Sequence, residues 1–245
     1  MEVRSLAGYR DRAAYTGLGE CRTAGRMSVS VVMPCTVDHL VVGAASLDAG
    51  CTFVADLLGE LPLPGGVHPQ LGTHNAVLSL GGSVYLEVIA IDPDGKTPAF
   101  PRWFSLDSDQ TRADLEISPR LLTWVVRTPA IASLKQLDAY AGCKVRSMSR
   151  AHLRWQFAFT ADGQCLAGGL LPHVIQWQGS AHPVDVLPPG NCRFSGLHGE
   201  SLDAVQINLA LAQMGLCDSL SCAESDTHAA SFWALIDTPR GSVRL

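Results

Sequence analysis

The stretch VDHLVVG at residues 37–43 decides how this chain is read. It is an apolar, valine-rich run of strand length with one acid and one imidazole near its start. Alternation along a strand puts His39, Val41 and Gly43 on one face and Leu40 and Val42 on the other. Working outward, Ser46 suits a helix N-cap, and Leu47, Cys51, Val54, Leu57 and Leu58 fall on one helical face that ends at Gly59. A Pro/Gly-rich loop, LPLPGGVHPQLGT, follows. Two strands come next, His74 to Leu80 and Ser83 to Ile91, turned by Gly81-Gly82.

The same order recurs. Leu121 to Arg127 reads as a strand. Pro129 opens a helix whose stripe is Ile131, Leu134 and Leu137 and which closes at Gly142. Strands Leu153 to Thr160 and Leu170 to Trp177 follow. A shortened third copy runs through a strand at Cys192 to Leu197 and a helix capped by Ser201 with the stripe Leu202, Val205, Leu209 and Ala212. It ends at Gly215 and closes with a hairpin, Ala229 to Asp237 and Ser242 to Leu245. The expected organisation is an irregular arm over 1–34 and a domain over 35–245, with modules at 36–92, 120–178 and 191–245. Two such units side by side leave a concave sheet face between them, the default ligand site.

Composition narrows the function classes. The chain has 245 residues, 47% apolar and 17% charged, with a formal net charge of −5. That is enough apolar material to exclude a disordered chain, and a mildly acidic protein lacks the basic face that nucleic-acid binding needs. Mean hydropathy is +0.16, yet no apolar run reaches the ~18–20 residues of a spanning helix. The eight cysteines are spread singly, with no C-x-x-C pair, so they read as buried or half-buried free thiols of a reducing, cytoplasmic compartment; Cys217 and Cys222 are close enough to be weighed as a redox pair.

The repeated β-α-β-β-β pattern, opening with VDHLVV and closing its first copy with YLEVIAID, resembles the vicinal oxygen chelate superfamily of glyoxalases, extradiol dioxygenases and bleomycin-resistance proteins. The segments GGVHPQLGTHNAVLSLGGSVYLEVIAIDP, LTWVVRT, LRWQFAF, GGLLPHVIQW and SAHPVDVLPPG are similar, in order, to its glyoxalase-like domain family. The resemblance implies an α+β fold of repeated βαβββ modules forming a curved, barrel-like mixed sheet with helices outside. It also implies metal ligands on the first and last strands of each module. Those positions fall on His39 and Glu87 in the first and on His173 in the second; the fourth falls on Leu122 or Thr123, neither of them a good ligand.

Two imidazoles and a carboxylate with open positions suit a divalent Fe, Mn, Zn or Ni ion that binds adjacent oxygens. His74 and Glu87 are the candidate catalytic groups. His68 and Asn75, in the loop GGVHPQLGTHN, are candidate substrate contacts, with Arg154 as an anion binder and Trp177 as an aromatic wall. Arg154 facing Glu87 as an ion pair is the structural alternative. The resemblance implies a metal-dependent lyase, isomerase or dioxygenase acting on a small vicinal-oxygen substrate. The alternative is a metal-free, small-molecule-sequestering protein of the same fold. A small-molecule ligand is expected as partner, nucleic acid and membrane are not, and homodimer formation is left open.

Overall fold

The structure, a computed structural model, describes residues 20–22, 28–226 and 230–245. Strands β1 (Glu20–Arg22) and β2 (Ser28–Ser30) pair as a short antiparallel ribbon. The next run is β3 (Thr36–Gly43), α1 (Leu47–Leu58), β4 (Leu63–His68), β5 (Thr73–Ser79) and β6 (Tyr85–Ile91). Helix α2 (Asp109–Ile117) leads into β7 (Arg120–Arg127), two 3-10 turns (Ile131–Gln136 and Asp138–Tyr140), β8 (Lys144–Arg150), β9 (Leu153–Phe159) and β10 (His173–Trp177). The chain ends with β11 (Arg193–Ser201), α3 (Ala204–Gln213), β12 (Leu220–Glu224), β13 (Ser231–Thr238) and β14 (Gly241–Arg244).

Eight strands form one mixed sheet in the order β4-β5-β6-β3-β7-β10-β9-β8. The two halves mirror each other: β3 is parallel to β6 as β7 is to β10, and β3 and β7 meet antiparallel in the middle. The sheet curls into a half-barrel, so the fold is α+β. Its curl is visible in contacts that cross between the two edges. Arg150 on the edge strand β8 hydrogen-bonds His68 on the opposite edge strand β4, and the His68 ring packs edge-on against Trp155 of β9. The convex face carries one continuous apolar core: Leu40, Val42, Leu86, Val88 and Trp124 from the sheet, covered by Val54 and Leu58 of α1, the 3-10 turns and the C-terminal unit. The concave face carries a second core that is mainly aromatic.

Helix α1 starts where Ser46 Oγ accepts from the Ala49 N–H, and it stops at Gly59, whose φ of 80° only glycine adopts without strain. The segment after Pro129 is two 3-10 turns rather than an α-helix; its i, i+3 spacing buries Ile131, Leu134, Leu137 and Tyr140. Residues 63–68, expected as loop, are an edge strand. An edge tolerates Pro64, and Gly65 is the extra residue of a bulge against β5. β8 and β12 also went unread, being half-exposed and polar. The C-terminal unit is not a third copy of the same module: β11 lies parallel to β12 and its sheet runs β12-β11-β13-β14.

In α3 the buried residues are Ala204, Ile207, Ala210, Leu211 and Ala212, whereas the expected Leu202, Val205 and Leu209 are exposed. Of the arm, residues 1–19 and 23–27 lie outside the described residues, as does Ala229. The rest of the arm is not irregular, since it contains the ribbon and Met33, which is fully buried in the convex core. Cys35, Cys51, Cys143, Cys165, Cys192 and Cys222 are free thiols. Cys217 is disulfide-bonded, contrary to the free-thiol expectation, and Cys222 is not its partner. Among the described residues, no helix is long and apolar enough to cross a membrane.

Candidate functional site

The site begins with a fault in β3. Val37 pairs with Val126 and His39 with Val125, so Asp38 is a bulge residue. A bulge breaks the alternation and turns two consecutive side chains to one face. Asp38 and His39 therefore both reach the concave side, and His39 Nδ1–H donates to Asp38 Oδ1 at 2.7 Å. Asp38 has no solvent exposure. Trp177 Nε1 (2.9 Å) and His182 Nε2 (3.0 Å) donate to its other oxygen, and Arg127 Nη1 approaches at 3.5 Å. Burial by itself would raise the Asp38 pKa. The hydrogen bonds and positive charge of His182 and His39 outweigh it and hold the carboxyl well below the usual carboxylate range.

With Nδ1 committed to Asp38, His39 presents its Nε2 to the cavity, 3.6 Å from Glu87 Oε2. Tyr85, beside His39 in the register of β3 and β6, stacks on the imidazole at 4.5 Å. Glu87 is itself fixed, because Asn75 Nδ2 donates to its other oxygen. Asn75 Oδ1 accepts from Arg150 Nη1 (2.8 Å), which also donates to His68 Nε2 (3.2 Å). Since His68 Nε2 is an acceptor, its Nδ1–H donates to Thr73 Oγ1 at 3.2 Å. Burial, and then the Arg150 cation, push the His68 pKa down to about 3, so the ring is neutral. A chain of bonds thus runs from Thr73 to Glu87. Gly65 permits it: a Cβ there would lie 2.3 Å from Asn75 Oδ1.

These groups line a cavity of about 30 Å³, room for about two waters. Trp155, Phe157 and Trp177 form one wall, and Trp103 and Phe104 of the segment between the halves close it. His39, Glu87, His68, Asn75 and Trp177 are therefore brought together. Three other residues are not. His74 alternates with Asn75 and points to the opposite sheet face, away from the cavity. Arg154 is exposed, because Leu153, Trp155, Phe157 and Phe159 turn inward and Arg154 alternates with them onto the other face of β9; it makes no pair with Glu87. His173 is buried on the concave side but does not line the cavity. Its ring lies against Phe157 (5.6 Å, stacked) and Phe104 (5.1 Å, edge-on), and burial pushes its pKa down to about 4. The unread members are Asp38, Tyr85, Arg150 and His182. Only Asp38, directly before His39, carried a signal in the sequence.

His39 and Glu87 are the two cavity groups that could donate to a metal ion. His39 Nε2 and Glu87 Oε2 have roughly the spacing of two ligands on one ion with bonds of about 2.1 Å, and an Asp-oriented imidazole is common in metal sites. A resident catalytic ion, however, takes about three protein ligands. Among the described residues no group of three His, Cys, Asp or Glu converges in this way. Thr123, in the fourth position, turns its hydroxyl toward the Gly169 carbonyl. The residues do not fit a resident ion.

A family model for the glyoxalase-like domain matches residues 37–215. No curated protein matches the chain in sequence. Among solved structures, a hypothetical protein from Staphylococcus aureus is similar with a TM-score of 0.52 and 15% identity, over 86% of this chain and 85% of that one. Methylmalonyl-CoA epimerase from Mycobacterium tuberculosis gives a TM-score of 0.38 and 18% identity, over 59% of this chain and 88% of that one. A variant of the Streptomyces coelicolor epimerase in complex with 2-nitronate-propionyl-CoA gives 0.37 and 16%, over 61% and 97%. At these identities the likeness is one of fold.

Proposed function

Because the chain belongs to the glyoxalase-like domain family, we propose that it is an enzyme that moves a proton on a small substrate with adjacent oxygens, an isomerase or lyase by reaction type. One observation carries this reading: the buried line Asp38–His39–Glu87, of which His39 and Glu87 line the cavity and Asp38 stands behind them, with each group held by its own partners. Asp38, ionised and inaccessible, sets the tautomer of His39, as an orienting carboxylate does for a catalytic base. His39 Nε2 then accepts a proton from the carbon next to a carbonyl. The C–H bond breaks, its electron pair moves onto the carbonyl, and an enolate forms. Arg150 has no carboxylate partner among the described residues, only the neutral Asn75 and His68. A guanidinium so placed stabilises the developing oxyanion. The imidazolium, directly or through Glu87 3.6 Å away, returns the proton to the former carbonyl carbon while the hydroxyl proton on the α-carbon passes to the neighbouring oxygen, which completes an isomerisation; expulsion of a leaving group from the β-carbon, on the other side of the α-carbon, gives the lyase outcome. The aromatic walls keep bulk water from the enolate.

The test is proton exchange in D2O after dialysis against a chelator. Small 2-hydroxyaldehydes, 2-hydroxyketones and 2-oxo acids are offered and the α-proton is followed by NMR. Protein-dependent loss of that signal with at least one class is expected, and a drop of more than 100-fold in His39→Gln and in Glu87→Gln. Exchange that appears only when Mn2+ or Zn2+ is added would reassign His39 and Glu87 to an ion. Binding without exchange would leave a sequestering protein.

A further inference from the structure

The concave face of a half-barrel should be open, yet here it is filled from within the chain. The segment 102–106 between the two halves turns inward, and Trp103, Phe104 and Leu106 are buried. Phe104 sits among Trp103, Phe157 and His173 at ring-centre distances of 5.0, 5.9 and 5.1 Å. It lines the same cavity as His39 and Glu87.

Several features mark this filling as unlike an ordinary core. Phe104 and Ser105 both have φ of 59°, two consecutive non-glycine residues in the left-handed region that L-residues rarely adopt. Four buried side-chain polar atoms among the described residues lack a hydrogen-bond partner, and three of them are here: Arg102 Nε, Trp103 Nε1 and His173 Nε2. Buried polar groups are otherwise satisfied in folded proteins. The segment is also a self-contained loop, closed on itself by the Arg102–Asp107 ion pair at 2.7 Å. Two bonds tie its tip to the β9–β10 connection: Ser105 N–H to the Gly163 carbonyl, and Cys165 N–H to Ser105 Oγ, each 2.8 Å.

We propose that segment 102–106 is an intrasteric plug, in which the Phe104 ring holds the place of a ligand's ring. The molecule that displaces it is a flat, ring-sized anion. Flatness and size follow from the space the phenyl ring fills between Phe157 and His173. The charge follows from Arg150, a partly buried cation that lines this cavity and has no carboxylate partner among the described residues. A polar substituent on the ring would also satisfy His173 Nε2. Withdrawal of the loop enlarges a cavity that otherwise holds only water-sized molecules. The claim concerns binding and holds whether or not the protein transfers protons.

Benzoate is the probe, and its affinity for the full chain is measured by titration calorimetry. Three variants move the plug in known directions. Phe104→Ala removes the ring. Gly163→Ala pushes the loop out, because a Cβ there would lie 1.9 Å from the Arg102 carbonyl oxygen. Ser105→Cys places a thiol beside that of Cys165, whose hydrogen-bond partner is Ser105, so that oxidation locks the plug and reduction frees it. Benzoate is expected to bind at least tenfold more tightly to Phe104→Ala and Gly163→Ala than to the unmodified protein. It is expected to bind at least tenfold more weakly to oxidised than to reduced Ser105→Cys. In the unmodified protein, benzoate should quicken amide hydrogen exchange at 102–106, where an ordinary ligand would slow it. Equal affinity for the locked and unlocked Ser105→Cys protein, or exchange that slows or stays unchanged, overturns the proposal. The lock compares one protein with itself, so the result stands even if Phe104→Ala does not fold.

Discussion

Replacing Asp38 by asparagine removes one charge and little volume from a group with no solvent exposure. Three donors lie within 3.0 Å of the carboxylate and a fourth at 3.5 Å. Hydrogen bonds to a charged acceptor contribute about 1.5–3 kcal/mol each and neutral ones about 1. Asparagine keeps an acceptor on one side only and turns an N–H2 toward a ring N–H on the other. The net loss is roughly 3–5 kcal/mol, in the range for breaking a buried charge pair. That is a large share of the ~5–15 kcal/mol that stabilises a typical domain, and it corresponds to about 10 °C in Tm for a chain of this size.

The assay is urea unfolding of both proteins from pH 8 to pH 3. The folded-state pKa of Asp38 is depressed below the ordinary aspartate value of 3.8. Its contribution is therefore complete above that pH and is lost as pH falls toward the folded value. Protonation of the unfolded chain alone should narrow the gap between the two proteins by about 1 kcal/mol at pH 3. A loss below about 1 kcal/mol at pH 7, or a gap as wide at pH 3 as at pH 6, would refute the reasoning.

Three further outcomes are expected. His68 and His173 have folded pKa values of about 3 and about 4, below the ordinary histidine value of 6.5; their contributions are present above 6.5 and lost as pH falls, about 2 kcal/mol each by pH 5, and His173→Gln should halve that slope in pH-dependent unfolding. Arg150→Met leaves Asn75 Oδ1 and His68 Nε2 without their donor and should cost about 1–3 kcal/mol, with Arg150→Lys recovering only part of it in thermal unfolding. Gly65→Ala drives a methyl into Asn75 and should lower stability by about 1–3 kcal/mol, read in the same assay; an unchanged Tm would mean that Asn75 is not held as described.

The central strands were legible because their residues are apolar on both faces, as at Leu40-Val41-Val42 and Val88-Ile89-Ala90. The shared face of His39 and Glu87 followed from alternation. The edges were not legible. Pro64, Gly65 and Gly66 have loop chemistry, and only their pairing with β5 makes them a strand. β8, KVRSMSR, has one face on solvent and shows little apolar pattern. Arg150 was missed with it, since its role appears only when the sheet curls and the two edges meet. The faces of β9 are inverted for a related reason: Arg154 was expected to face Glu87, but the aromatic residues fill the concavity and Arg154 faces water. Asp38 could not be placed because alternation sends it away from His39, and the bulge that reverses this depends on the partner strand.

The most direct measurement is side-chain NMR of the histidines in the 15N-labelled protein, with His39 assigned by its loss in His39→Gln. In the neutral form of His39 the proton should sit on Nδ1 and leave Nε2 bare, and that preference should be lost in Asp38→Asn. A proton resident on Nε2 with Nδ1 bare would contradict the orientation from which the proton transfer is derived.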